Sequence, residues 1–165
     1  MMIVPVNYGL KHPVGIVSIP SLIKPFDWGT HVDTWYMMLR KVAGKLDAVV
    51  DGSYKQGSST IGWGVILNGA HWCNTATVPL FNRKASNNVA EYHALYECLC
   101  RVDDNAGLTI GTDSMLVAKQ LSGEFAVRST NVFPYYMEVK RLLKKTGCKV
   151  VYIPREINDA DALTR

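Results

Sequence analysis

The sequence lacks long hydrophobic runs, and its few cysteines follow no regular spacing. No apolar stretch approaches the ~18 residues that a membrane span needs, so no membrane partner is predicted. Three prolines within the first 20 residues interrupt any apolar signal-peptide core, so no export signal is expected. The four cysteines show no disulfide framework, which is typical of a reduced, cytoplasmic setting.

Charged residues are also sparse, and they are unevenly distributed. They make up 19% of the 165 residues against 48% hydrophobic residues, which excludes a disordered or fibrous chain and favours one globular domain. The net charge is only +4, but seven basic residues and one acid, Glu138, lie between Arg128 and Arg155. This local excess of +6, with the acidic residues described below, favours a polyanionic partner. The alternative for Lys140 to Lys145 is the solvated face of an amphipathic helix.

The residue pattern changes at about position 46. Residues 1–45 hold four of the seven prolines and then an apolar helical spacing over 31–43, so they are predicted to form an arm and one amphipathic helix packed on the domain. Residues 46–165 are predicted to form the domain itself. Strands are predicted over 46–54, 61–67, 71–78, 107–113 and 148–154, and helices over 86–102, 114–123, 131–145 and 157–165.

Asn68-Gly69 predicts a tight hairpin between the second and third strands. The resulting order, βββαβααβα, predicts an α/β fold with a five-stranded mixed sheet and helices on both faces.

Four acidic residues occupy unusual positions, between small or β-branched apolar neighbours: Asp51, Glu91, Asp113 and Asp161. Taken singly, each is expected to be a cap, a turn residue or part of a solvated face. Brought together, two carboxylates ~5 Å apart repel by roughly 3 kcal/mol at an effective dielectric of ~20. Such a cluster requires shifted pKa values or divalent cations, and Mg²⁺ or Mn²⁺ suits oxygen ligands.

Four motifs, in order, resemble those of the type 1 ribonuclease H family, in the compact form related to bacterial, archaeal and viral members. They are DGSY (51–54), SNNVAEYHAL (86–95), TDSMLVAKQLSG (112–123) and IPREINDADAL (153–163). The resemblance covers residues 46–165 and implies a ribonuclease H-like catalytic domain with strands one and four as neighbours.

The resemblance implies an endonuclease that hydrolyses the RNA strand of RNA–DNA hybrids. In the family the four acidic positions hold two Mg²⁺ or Mn²⁺ ions, and in-line attack gives 5′-phosphate and 3′-hydroxyl ends. No other cofactor is implied. The implied substrate-binding residues are Gly52, Ser53, Asn87, Asn88, Ser114 and Arg155.

Two departures from the family pattern affect the predicted site. Asn158 lies three residues before Asp161, where four is usual, so Asp159 is a rival fourth ligand. Asp161 is preferred because Ala160 and Ala162 bracket it with small residues. No histidine lies between Lys149 and Arg165, so the loop histidine of some family members has no counterpart.

Other interpretations are kept open. The same fold can serve a structure-selective nuclease or an exonuclease, or a nucleic-acid-binding module without catalysis. Zinc is not expected, because the pairs His71/Cys73 and Cys98/Cys100 have a spacing that is poor for a tetrahedral site. His93 is predicted to be a partly exposed helix residue, and the protein is expected to be a monomer.

Overall fold

The computed structural model describes residues 46–77 and 84–165. The arm and amphipathic helix predicted for residues 1–45 lie outside the described residues, as does the end of the predicted third strand. Among the helices of the described part, none has the length and apolar character needed to cross a membrane.

Five strands form one mixed sheet: β1 (Ala48–Tyr54), β2 (Thr60–Leu67), β3 (Ala70–Thr77), β4 (Thr109–Thr112) and β5 (Lys149–Tyr152). Their spatial order is β3-β2-β1-β4-β5. The first three strands pair antiparallel, whereas β4 runs parallel to both β1 and β5. The hairpin predicted at Asn68-Gly69 is confirmed, since both residues have positive φ angles, of 50° and 79°.

The described residues include three α-helices in one hydrophobic core with the sheet: α1 (Asn87–Leu99), α2 (Met115–Leu121) and α3 (Phe133–Thr146). Helices α1 and α2 contact the strands, and α3 packs on α1. The core between them and the strands includes Val50, Val65, Leu95 and Ile110, all fully buried. At the start of α1, the Ser86 Oγ accepts a hydrogen bond from the backbone N–H of Val89.

The segment after β5 covers the opposite face, but it is not the α-helix predicted over 157–165. It forms two 3₁₀ turns, Arg155–Ile157 and Asp159–Leu163. Asn158 separates them with a non-helical backbone (φ −86°, ψ 86°), and its side-chain oxygen accepts a hydrogen bond from the Ala160 N–H. The non-helical backbone of Asn158 therefore interrupts the helix predicted for this segment.

Glycines on β2 allow that segment to approach the sheet. A methyl group at Gly64 would lie 2.9 Å from the Leu163 Cβ and 3.0 Å from the Ala160 carbonyl oxygen. The predicted fold class, an α/β fold with a five-stranded mixed sheet covered on both faces, is confirmed. Its last element differs only in being 3₁₀ rather than α.

His93, predicted to be partly exposed, is 2% exposed. Its ring lies between β2 and α3, with ring centroids 6.3 Å from Trp63 and 5.9 Å from Tyr135. Its Nε2 lies 3.3 Å from the Glu97 carboxylate, one helical turn along α1. The prediction was wrong because α3 covers this side of α1, which the periodicity of α1 alone did not show.

Burial makes His93 a source of acid sensitivity. Desolvation lowers its pKa below 6.5, although the Glu97 carboxylate opposes the shift. The unfolded chain therefore binds a proton at a higher pH than the folded protein does, so the free energy of unfolding falls as the pH drops below about 6.5. Between about pH 7.5 and 5, His93→Gln is expected to lose less stability than the parent. Urea unfolding of both proteins at both pH values measures this, and equal losses would contradict it.

Candidate active site

The centre of the sheet brings two carboxylates together. In the parallel β1–β4 pair, Val50 lies opposite Thr112. The next residue of each segment is an aspartate, Asp51 on β1 and Asp113 just after β4. The strand register therefore places these two acids, 62 positions apart in the sequence, side by side at one end of the pair.

Glu91 joins them from α1 because Gly52 allows the helix to touch the strand. A methyl group at Gly52 would lie closer than 3.0 Å to backbone atoms of Ala90 and Glu91. The missing side chain at Gly52 is therefore a requirement of the site, since any Cβ there would push α1, and Glu91 with it, away from β1.

Asp51, Glu91 and Asp113 each offer an oxygen atom, and these atoms lie within 4.8 Å of one another. Among residues 46–77 and 84–165, this is the only group of three or more potential metal-ligating side chains. The Glu91 Oε2 and the Asp113 Oδ1 are buried and have no hydrogen-bond partner. Hard oxygen ligands with unsatisfied negative charge fit a divalent cation such as Mg²⁺ or Mn²⁺.

The pKa values of all three carboxyls are raised. Burial is the largest cause, and for Glu91 it combines with the charges of Asp51 and Asp113 to raise the pKa to about 9. Burial also raises the pKa of Asp51 and of Asp113, despite hydrogen bonds from Thr164 and Asn158 that lower them. These three groups are thus held together against their mutual repulsion.

Asp161 lies in the same cleft but outside the group of three. Its Oδ1 accepts a 2.6 Å bond from Arg155, and its Oδ2 accepts one from Arg165. Burial raises the pKa of Asp161, but the hydrogen bonds and charges of the two arginines outweigh burial and lower it. Its rival Asp159 is exposed and is not among the described residues that line the cleft.

The cleft around these acids has a volume of about 320 Å³ and is open on one side. Four of the predicted substrate-binding residues line it: Gly52, Ser53, Asn87 and Arg155. The other two, Asn88 and Ser114, are not among the described lining residues. The Ser114 Oγ instead accepts a hydrogen bond from the Val117 N–H and caps α2.

Sequence reasoning missed Thr164, whose hydroxyl donates a hydrogen bond to the Asp51 Oδ2. The backbone carbonyl of Thr164 accepts a 3.0 Å bond from the Ser53 Oγ. Sequence reasoning also gave no structural role to Asn158, whose side-chain N–H donates a hydrogen bond to the Val50 carbonyl oxygen at 3.0 Å. The sequence pattern singles out only the spacing of Asn158 from Asp161, and nothing in it distinguishes Thr164 from a surface threonine.

Thr164→Val is expected to weaken Mn²⁺ binding by about tenfold, because the Asp51 carboxylate loses the donor that orients it and favours its charged form. Calorimetric titration of the metal-free protein with Mn²⁺ measures the change. Thr164→Ser keeps the hydroxyl and serves as the matched control. Equal affinity in Thr164→Val and the parent would show that the hydroxyl does not prepare Asp51 for a metal.

Comparisons with known proteins agree with this geometry. The family model described as "Reverse transcriptase-like" matches residues 49–164. Ribonuclease H1 from the halophilic archaeon Halobacterium salinarum is 28% identical, with a TM-score of 0.56 over 70% of this chain and 91% of that chain.

Two further structures share the fold at lower identity. The N-terminal ribonuclease H domain of a Mycobacterium tuberculosis protein, fused to maltose-binding protein, is 23% identical (TM-score 0.57; 72% of this chain, 91% of that chain). LC11 ribonuclease H1, solved in complex with an RNA/DNA hybrid, is 24% identical (TM-score 0.56; 70% of this chain, 91% of that chain). The resemblance noted in the sequence is thereby confirmed: the chain belongs to the reverse transcriptase-like family and is a ribonuclease H.

Proposed function

We propose that this protein is a divalent-metal-dependent endonuclease that cuts the RNA strand of RNA–DNA hybrids and leaves 5′-phosphate and 3′-hydroxyl ends. The observation that carries the proposal is the group of three carboxylates, whose oxygens lie within 4.8 Å of one another in a ribonuclease H fold. A hybrid substrate is supported by LC11 ribonuclease H1, which shares the fold and was solved with an RNA/DNA hybrid.

In this proposal Asp51, Glu91 and Asp113 hold one Mg²⁺ or Mn²⁺ ion, and Asp161 contributes to a second. Two such ions, when bound, activate the attacking water and stabilise the leaving 3′-oxygen. The protein's part is to fix the carboxylates before substrate arrives. Thr164 orients Asp51 by a hydrogen bond, and Gly52 sets the distance between β1 and α1.

The lining of the cleft is suited to the backbone of the RNA strand. Asn87 is exposed in the first turn of α1 and lines the same cleft as Gly52 and Ser53. Backbone and amide groups of this kind can hydrogen-bond a 2′-hydroxyl, which distinguishes RNA from DNA. The exposed guanidinium of Arg155 is placed to contact a phosphate.

The basic surface of α3 is proposed to follow the phosphates of the DNA strand. Lys140, Arg141, Lys144 and Lys145 are all exposed along this helix. Arg141 pairs with Glu138 and Lys145 with Asp104, so only part of the predicted basic excess is available for binding. This contribution should weaken as the salt concentration rises.

We propose that the enzyme is cytoplasmic and monomeric. Its catalytic domain is proposed to span residues 46–165. The support is chemical: all four cysteines are free thiols, two of them exposed, which suits a reducing compartment.

The proposal is tested with an end-labelled RNA–DNA hybrid, incubated with the full chain and Mg²⁺ or Mn²⁺, with and without EDTA. Cleavage within the RNA strand that EDTA abolishes, with 3′-hydroxyl ends that a polymerase extends, is the expected result. Double-stranded RNA and single-stranded DNA of the same sequence are the comparison substrates. Equal cleavage of these would favour a nuclease of different selectivity, and no cleavage of any would favour a non-catalytic binding module.

A further inference from the structure

Both oxygens of the Asp161 carboxylate are engaged by arginines of the same chain. Arg155 binds Oδ1 from the first 3₁₀ turn, and Arg165 binds Oδ2 from four residues beyond Asp161, after the second 3₁₀ turn has ended. The Asp161 side chain is only 11% exposed, whereas the Arg155 and Arg165 side chains are 70% and 72% exposed. A mostly buried acid is therefore neutralised by two cations that approach from solvent.

This arrangement differs from that of the other three acids in the cleft. Glu91 and Asp113 each have a buried oxygen with no hydrogen-bond partner, and the Asp51 carboxylate accepts from a neutral hydroxyl. Within the described part of the chain, no cation is paired with these three carboxylates, whereas Arg155 and Arg165 already balance the charge of Asp161. A metal ion at Asp161 must therefore compete with the two guanidinium groups for these oxygens and overcome their positive charge.

The charge of Arg155 also extends beyond Asp161. It stabilises the ionised forms of Asp51, Glu91 and Asp113, and it lines the same cleft. While it is paired with Asp161, this guanidinium repels a second divalent cation and also competes with it for the Asp161 carboxylate. Its effect on an ion bound by the group of three is smaller, because its repulsion of that ion is offset by its support for the ionised carboxylates that bind the ion.

We propose that Arg155 and Arg165 are exchangeable counter-ions of Asp161, which make the two divalent ions bind in sequence. The first ion binds at Asp51, Glu91 and Asp113, and the second binds only as an arginine gives up Asp161. Arg155 and Arg165 are positioning residues in this scheme, and the inference rests on the metal site of the proposed function.

The exposure of the two arginines makes the exchange feasible. Ion pairs whose cationic partner is solvated are weak, because water and salt compete for the guanidinium. Each arginine can rotate into solvent or toward a substrate phosphate without disturbing the core. The displaced guanidinium thus becomes available to a phosphodiester when the second ion enters.

The test is a titration of the full chain, stripped of metal with EDTA and dialysed, with Mn²⁺ alone. Free Mn²⁺ is followed by electron paramagnetic resonance, and heat by calorimetry. We expect two steps in the parent, with the second weaker by about tenfold or more. Arg155→Gln, and more so the double variant with Arg165→Gln, should tighten the second step by about three- to tenfold and leave the first nearly unchanged.

Two further variants separate this inference from a general effect of charge. Arg155→Lys keeps the positive charge and should retain most of the separation between the steps, whereas Asp161→Asn should remove the second step. Arg141→Gln is the matched control, since it also removes one exposed arginine from an ion pair, with Glu138 on α3. It should leave both steps unchanged.

Two outcomes would overturn the inference. If the parent binds two ions with equal affinity, or if Arg155→Gln and the double variant leave the second step where it was, the arginines do not control binding. EDTA-sensitive cleavage of the hybrid by the parent protein would then show that the proposed function holds although the arginines do not control metal binding. If the parent binds no Mn²⁺ at all, the proposed metal site and this inference fail together.

Discussion

Replacing Asp51 by Asn is expected to slow metal-dependent cleavage of an RNA–DNA hybrid by about a thousandfold or more. Metal ions stabilise the charge of a phosphodiester transition state by several kcal/mol, and ~4 kcal/mol corresponds to a factor of about a thousand in rate. Asp51 lies at the centre of the site, beside Asp113 and within reach of Glu91. Losing the charge of Asp51 therefore weakens metal binding by the whole group of carboxylates.

The same substitution is not expected to unfold the protein. An asparagine oxygen can still accept the hydrogen bond of Thr164, and the metal-free cluster loses one of its repelling charges. Single-turnover cleavage rates and thermal unfolding of the metal-free protein should be measured together. Asp103→Asn, at an exposed position, is the matched control and should cleave at the parent's rate. An active Asp51→Asn protein would contradict the assignment of Asp51.

Gly52→Ala is expected to lower the free energy of unfolding by about 3 kcal/mol, at the upper end of the usual cost of overpacking. The added methyl group would lie closer than 3.0 Å to backbone atoms of Ala90 and Glu91, and neither can rotate away. The strand and helix must separate, which also moves Glu91 away from Asp51. Mn²⁺ affinity should fall along with stability.

Urea unfolding and Mn²⁺ titration of the same preparation measure both effects. Gly69→Ala is a useful control, because a methyl group there meets nothing within 4 Å and the cost arises from the positive φ of 79°. That cost is about 1 kcal/mol, with no change in metal affinity. If Gly52→Ala were no more destabilising than Gly69→Ala, close contact between β1 and α1 would not be what requires a glycine at position 52.

Features that depend on neighbours in the chain were predictable. Asn68-Gly69 specified a tight hairpin because both residues adopt positive φ easily. Apolar, β-branched runs and helical spacing of apolar residues located the five strands and three α-helices of the described residues to within a few positions. The carboxylates at Asp51, Glu91 and Asp113 were recognisable because acids are rarely found among such apolar neighbours unless they are paired or bind a ligand.

Features that depend on contacts between distant segments were not predictable in the same way. The burial of His93 depends on α3, which begins 40 residues later in the sequence. The segment that follows Asn158 packs closely against Gly64 on β2, which lies far from it in the sequence. A pattern read along one element contains no information about the element that covers it.

The sequence by itself determined the five strands and three α-helices of the described residues and, through its motifs, that strands one and four are neighbours. It also singled out the acids that the structure brings into one cleft. Only the tertiary structure decided how their charges are balanced. Asp51, Glu91 and Asp113 meet with free oxygens, while Arg155 and Arg165 neutralise Asp161. The physical reason is that Coulomb energies and hydrogen bonds depend on distances of a few ångströms between side chains, and these distances are set only when the sheet, helices and 3₁₀ turns have packed.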